Sequence, residues 1–189
     1  MKKMLLVIDA QYDFINGSLA VNGAEEKMIK LSEHIEKDNY DIIVFTADWH
    51  PNEHMSFVEN GGQWPKHCVQ YTHGAAIFQP LLEMTDKKNT FMRVLTKGDV
   101  PLKEEYSLMD NYFSSKEFLR LVGVNNIEQI DVCGIMSSYC VLETIKGLVE
   151  NYNLNEKINV FLPYIAEIDK HEKLLDFCKN KNLHVISNL

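Results

Sequence analysis

Six short apolar runs, at residues 4–8, 42–45, 90–95, 127–132, 158–162 and 183–186, alternate along this chain with stretches of helical periodicity. The first run is unbroken by any polar residue, which suits a strand covered on both faces. Between the runs, residues 25–37 place Met28, Leu31 and Ile35 on one helical stripe, and 114–121, the stretch through 151 and 170–180 read the same way. Repeated β-α-β order predicts a three-layer α/β fold. Its centre is a mostly parallel six-stranded sheet of Rossmann-like topology, flanked by helices. Right-handed crossovers carry the C-terminal ends of all the strands to one edge, where ligands bind in open α/β sheets. Asp9, Asp48, Lys97 and Cys140 each sit at or just past the end of a different run. Four reactive side chains far apart in sequence are thereby expected to converge.

The length of 189 residues fits one domain over 1–189, with a long irregular stretch at about 50–89 that holds Gly61-Gly62, Trp64-Pro65 and four of the seven histidines. The net charge of −8 comes without a basic patch, which argues against nucleic acid. No run approaches the roughly 18 apolar residues of a membrane helix. The opening apolar run meets Asp9 too early for a signal peptide, so a cytoplasmic location is expected. Cys68, Cys133, Cys140 and Cys178 form no C-x-x-C pair, so free thiols are expected. Cys133 and Cys178 lie in apolar patterns and read as core, which leaves Cys68 and Cys140 for chemistry.

Asp48 and His50 are two residues apart and can face one side of an extended segment. With His67 they offer two imidazoles and a carboxylate, a three-ligand set for a divalent metal that leaves positions open for water or substrate. His54 lies four residues past His50. Spacing alone leaves this reading level with that of ordinary loop histidines. His73 reads as a solvated loop residue, and His34, His171 and His184 as structural or surface groups. Cys140 follows a Gly-containing turn in which Ser137 or Ser138 can cap the next helix. In the first turn of that helix the free N–H groups favour a thiolate and can hold an oxyanion. A buried structural cysteine fits the local pattern equally well. Asp9 and Lys97 fit either general base and electrostatic support for that thiol or a simple ion pair.

Five ordered blocks narrow these alternatives. Residues 7–14 with Gly17 through Val21, then Thr46 through Pro51 with His54 and Ser56-Phe57, form the first two. Trp64 through Val69, Lys97-Gly98 with Tyr106-Ser107, and Cys133 through Val141 complete the set. Together they resemble the nicotinamidases among the isochorismatase-like cysteine hydrolases, over residues 4 to about 144. The resemblance implies Cys140 as nucleophile, Asp9 as acid and base, and Lys97 as third member. It implies Asp48, His50 and His67 as metal ligands, with His54 a fourth ligand or a partner of one. It also implies a cis peptide at Ile135–Met136, an oxyanion hole from the N–H groups of Met136 and Cys140, and a pyridine pocket at Phe14, Leu19 and Trp64. Tyr12 stands where the family has Asn, Ser137-Ser138 where it has Thr-Asp, and residues 71–74 depart from its usual Gly-Thr-x-Gly.

The implied reaction is hydrolysis of nicotinamide to nicotinate and ammonia through a cysteine thioester, as in NAD salvage, with pyrazinamide as a second substrate. One divalent metal is the implied cofactor. Zn, Mn and Fe all suit these donors, with zinc first among them. Self-association is a further expectation. The alternatives are a related cysteine hydrolase acting on another amide or carbamoyl substrate and, more remotely, a non-catalytic metal-binding module.

Overall fold

A computed structural model describes residues 1–168 and 170–188. Six strands, β1 (Lys3–Ile8), β2 (Ile42–Asp48), β3 (Phe91–Lys97), β4 (Gln129–Ile135), β5 (Ile158–Ala166) and β6 (His184–Ile186), form one sheet in the order β3-β2-β1-β4-β5-β6. Every pairing is parallel, so among the described residues the sheet is wholly rather than mostly parallel. β1 is central, and its apolar run is buried because helices cover both faces.

The helices are the short α1 (Tyr12–Ile15), α2 (Ala24–Lys37), α3 (Gln79–Lys87), α4 (Tyr112–Val124), α5 (Leu142–Tyr152) and α6 (Glu172–Asn180). Right-handed crossovers put α2 and α3 on one face and α4, α5 and α6 on the other, and α2 packs on α3 as α5 does on α6. α2 buries Ala24, Met28, Leu31 and Ile35, the stripe legible in the sequence. α5 buries Leu142, Ile145, Leu148 and Val149 in the same way. No helix among the described residues is long and apolar enough to cross a membrane.

The stretch expected as loop to residue 89 ends earlier, because α3 occupies its last part. Only Leu81 and Thr85 are buried in that helix, an apolar stripe too short to stand out. Pro80 in its first turn fixes the helical φ at no cost in hydrogen bonds. Strand ends also shift. β2 and β3 run on to Asp48 and Lys97 themselves, which face each other in register. The strand order reverses direction beside β1, and the crevice between the ends of β1 and β4 is where such folds bind ligands. Gly134 permits the close approach there: a Cβ at its φ of +120° would lie 2.1 Å from the Ile8 carbonyl oxygen.

Candidate active site

Asp9 leaves β1 in the left-handed region, with φ +48°, a conformation that non-glycine residues adopt at a cost and that clusters at functional sites. Thr46 on β2 holds it there. The Asp9 N–H donates to Thr46 Oγ1 at 3.1 Å, and that hydroxyl donates to Asp9 Oδ1 at 2.5 Å. The free Oδ2 faces Lys97 Nζ at 2.8 Å. The same ammonium donates to Asp48 Oδ1 and reaches Cys140 Sγ at 3.5 Å. Asp9, Lys97, Asp48 and Cys140, drawn from four strand ends, therefore share one buried cation.

The electrostatics follow from burial and that cation. Burial pulls the Lys97 ammonium down, but Asp48 and Asp9 more than offset it, so its pKa lies well above the lysine value. Burial raises the Asp9 carboxyl despite Lys97. Burial also opposes ionisation of Asp48, yet Lys97 and His50 hold it below the usual carboxylate range. The expectation of a thiolate at Cys140 is reversed. Burial pushes the thiol well above its ordinary value, Lys97 opposes this, and Asp9 and Asp48 add to it. The turn around it also differs from expectation. Residues Ser137–Val141 form a single π-helical turn, and Met136 rather than a serine takes the position before it. The Met136 carbonyl accepts the N–H groups of Tyr139 and Val141, and the Ile135–Met136 peptide is cis.

The metal-ligand candidates lie on the far side of Asp48. Its Oδ2 is 3.6 Å from His50 Nε2 and 3.9 Å from His67 Nε2, and all three residues are buried. His50 Nδ1 bonds to the Gly98 carbonyl at 3.0 Å, and His67 Nδ1 to that of Pro65 at 2.7 Å. Each carbonyl accepts the Nδ1 proton and so leaves Nε2 as the nitrogen turned toward Asp48, the usual support for a metal-binding imidazole. The donor set and its supports fit one divalent cation. Asp9, Asp48 and Cys140 are also close enough to form a ligand set, but Lys97 already stands among them as the cation. His54 offers no donor atom to the centre. Its Nδ1 bonds to Ser56 Oγ at 2.7 Å and its Nε2 to the Lys103 carbonyl at 3.0 Å, while its ring stacks 4.1 Å from that of His50.

A pocket of about 310 Å³, mouth included, joins the two groups of residues. Phe14, Leu19 and Trp64 line it, together with Met136, Cys140, Asp48, His50 and His67. Glu104, Tyr106 and Tyr139 complete the wall. Trp64 Nε1 donates to Tyr106 Oη at 3.0 Å, and Tyr139 packs edge-on to Trp64 at 5.2 Å. Glu104 had no sequence signal, and Tyr106 and Tyr139 were visible only as members of the matched blocks. Gln11, too, was visible only as a member of the first block. Its amide donates to the carbonyls of Asp48 and Ala75 and accepts the Asp48 N–H, each at 2.8 Å, pinning the end of β2. Cys68 is buried, and its N–H donates to Asp13 Oδ2 at 2.7 Å, so it belongs to the loop scaffold.

Residues 3–152 match the isochorismatase domain family. The nicotinamidase/pyrazinamidase of Mycobacterium tuberculosis is 32% identical over 154 residues, covering 79% of this chain and 80% of that protein. The yeast nicotinamidase bound to the inhibitor nicotinaldehyde superimposes with a TM-score of 0.84 at 25% identity, covering 98% of this chain and all of the other. The pyrazinamidase of Pyrococcus horikoshii in complex with zinc gives a TM-score of 0.78 at 26% identity over the whole of both chains. With its catalytic-type residues at the strand ends and this likeness over most of its length, the chain belongs to the isochorismatase family.

Proposed function

We propose that this protein is an amidohydrolase that converts nicotinamide to nicotinate and ammonia, with pyrazinamide as a second substrate. One observation carries the reading. A single buried cation, Lys97, ties the Cys140 thiol to the Asp9 carboxylate, and Cys140 lines the same pocket as the Asp48–His50–His67 set. Phe14, Leu19 and Trp64 would sandwich the pyridine ring. A divalent metal held by Asp48, His50 and His67, with zinc the ion proposed, would supply a Lewis-acid contact for the ring nitrogen.

The raised pKa of Cys140 means that the resting thiol keeps its proton. Asp9 takes that proton as sulfur attacks the carboxamide carbon, and Lys97 stabilises the charge so formed. The oxyanion rests on the N–H groups of Met136 and Cys140. Asp9 then gives the proton to the departing nitrogen, so ammonia leaves and a Cys140 thioester remains. Water attacks the thioester, with Asp9 again accepting a proton, and nicotinate is released with the thiol restored. A pocket walled by Trp64, Tyr106 and Tyr139 excludes bulk water during these steps.

Ammonia release from nicotinamide, followed before and after chelation and again after metal is restored, tests this reading. Turnover that falls with chelation and returns with zinc supports it. Turnover indifferent to complete metal removal overturns the role of Asp48, His50 and His67. No turnover by folded, zinc-loaded protein overturns the substrate and leaves the hydrolase of another amide.

A further inference from the structure

Beside Glu104, which lines the pocket, stands a carboxylate that the pocket does not use. Glu105 is only 2% exposed, and a buried carboxylate is costly unless several donors satisfy it. Here three donors do, each from a different place. Its Oε2 accepts the Gly98 N–H at 2.8 Å and Asn111 Nδ2 at 3.0 Å, and its Oε1 accepts Lys103 Nζ at 2.7 Å. Lys103 Nζ also donates to the Asp110 carbonyl at 2.6 Å, and Asn111 Nδ2 to Asp99 Oδ1 at 2.7 Å. Glu105 thus draws the start, middle and end of the segment from Gly98 to Asn111 onto one side chain.

That closed segment delivers two carbonyls to the histidines. Gly98, whose N–H Glu105 holds, accepts His50 Nδ1 on its own carbonyl at 3.0 Å. Gly98 has little room to move. Its φ is +68°, and a Cβ there would meet His50 Cε1 at 2.5 Å. Lys103, whose ammonium Glu105 holds, accepts His54 Nε2 on its carbonyl at 3.0 Å. The His54 ring then backs that of His50 at 4.1 Å. His50 is thereby fixed from one side by a hydrogen bond and from another by a stacked ring, and both supports lead to Glu105. The matched block of Lys97-Gly98 and Tyr106-Ser107 passes over this position.

We propose that Glu105 is a positioning residue for the metal centre, holding the Gly98 and Lys103 carbonyls that aim His50 Nε2 at Asp48. The inference rests on the metal reading above. It touches neither substrate nor reacting atoms, so it predicts weaker metal binding rather than altered chemistry. Loss of groups that orient metal ligands typically costs about 10- to 100-fold in affinity.

The test is zinc affinity of purified, metal-free protein, read by competition with a chromophoric chelator, with the melting temperature of each metal-free form measured in parallel. Glu105→Ala is expected to weaken zinc binding about 10-fold or more. Glu105→Gln keeps one oxygen for the Gly98 N–H and is expected to fall between Glu105→Ala and the parent. Lys103→Met frees the Lys103 arm but leaves the Gly98 and Asn111 bonds to Glu105, so its loss of zinc affinity should be smaller than that of Glu105→Ala. A purely structural staple would lower the metal-free melting temperature and leave zinc affinity unchanged. That result in the Glu105 variants overturns the proposal. If Glu105→Ala does not fold, Glu105→Gln decides alone. If the parent itself binds no zinc, the metal reading falls first and takes this inference with it, a result distinct from a parent that binds and variants that bind equally well.

Discussion

Two buried polar clusters lie at opposite edges of the same sheet, and they are built on opposite rules. At the N-terminal edge, Asp131 on β4 accepts Tyr40 Oη at 3.1 Å, Gln129 Nε2 at 2.7 Å and Asn159 Nδ2 at 2.8 Å. His34 Nε2 lies 2.9 Å from the same Tyr40 hydroxyl. Neutral donors satisfy that carboxylate from three sides. At the C-terminal edge, two carboxylates compete for one ammonium beside a thiol whose pKa burial raises despite that ammonium. There Asp9 also sits in the left-handed region and a pocket opens onto the group. Burial of charge is common to both. What separates them is completeness: a saturated cluster holds the fold, whereas an unbalanced one facing a cavity can exchange protons with a ligand.

Breaking the C-terminal cluster should have the larger consequences. Lys97→Met leaves Asp9 and Asp48 buried together without their cation, which should cost about 3–5 kcal/mol in denaturant unfolding and abolish turnover. Asp9→Asn removes the proton acceptor while Lys97 keeps Asp48, so kcat for ammonia release should fall about 100- to 10,000-fold with little change in the unfolding midpoint. Asp48→Ala should weaken zinc binding at least about 100-fold, measured by chelator competition, because it deletes a ligand rather than a support for one.

At the other edge the same kind of change should alter stability alone. Asp131→Asn is expected to cost about 1–3 kcal/mol and leave kcat and KM unchanged. A kinetic defect there would erase the distinction between the two clusters. The smallest effect sharpens it. Burial holds His34 below the ordinary histidine value, so the unfolded chain takes up that proton more readily than the fold does. Stability from this group is present above the unfolded value of about 6.5 and is lost as pH falls toward the folded value. The drop in Tm between about pH 7 and pH 5 should therefore be smaller in His34→Gln than in the parent.

The C-terminal cluster was legible in the sequence for the reason that makes it functional. β1, buried on both faces, reads as an unbroken apolar run, so Asp9 stands out at its end, whereas Lys97 ends the more exposed edge strand β3. The metal candidates were legible because Asp48 and His50 alternate along one strand end. What was hidden depends on contacts across the fold. The thiol pKa at Cys140 is set by its burial in the assembled fold and by Lys97, Asp9 and Asp48 from other strands. The occupation of both His54 nitrogens depends on Ser56 and on Lys103, which lies 49 residues away. Glu104 and Glu105 are adjacent acids in a charged loop, and nothing local tells which faces the pocket and which holds the loop. The short helix α3 was lost because two buried residues do not make a period.

The central claim is that the sulfur of Cys140 carries the hydrolysis. Ammonia release from nicotinamide by zinc-loaded Cys140→Ala, beside the parent and with equal melting temperatures confirmed, tests it most directly. The account predicts a fall of about 10,000-fold or more, to the rate of the uncatalysed background. A variant that folds, binds zinc and releases ammonia at the parental rate would contradict it.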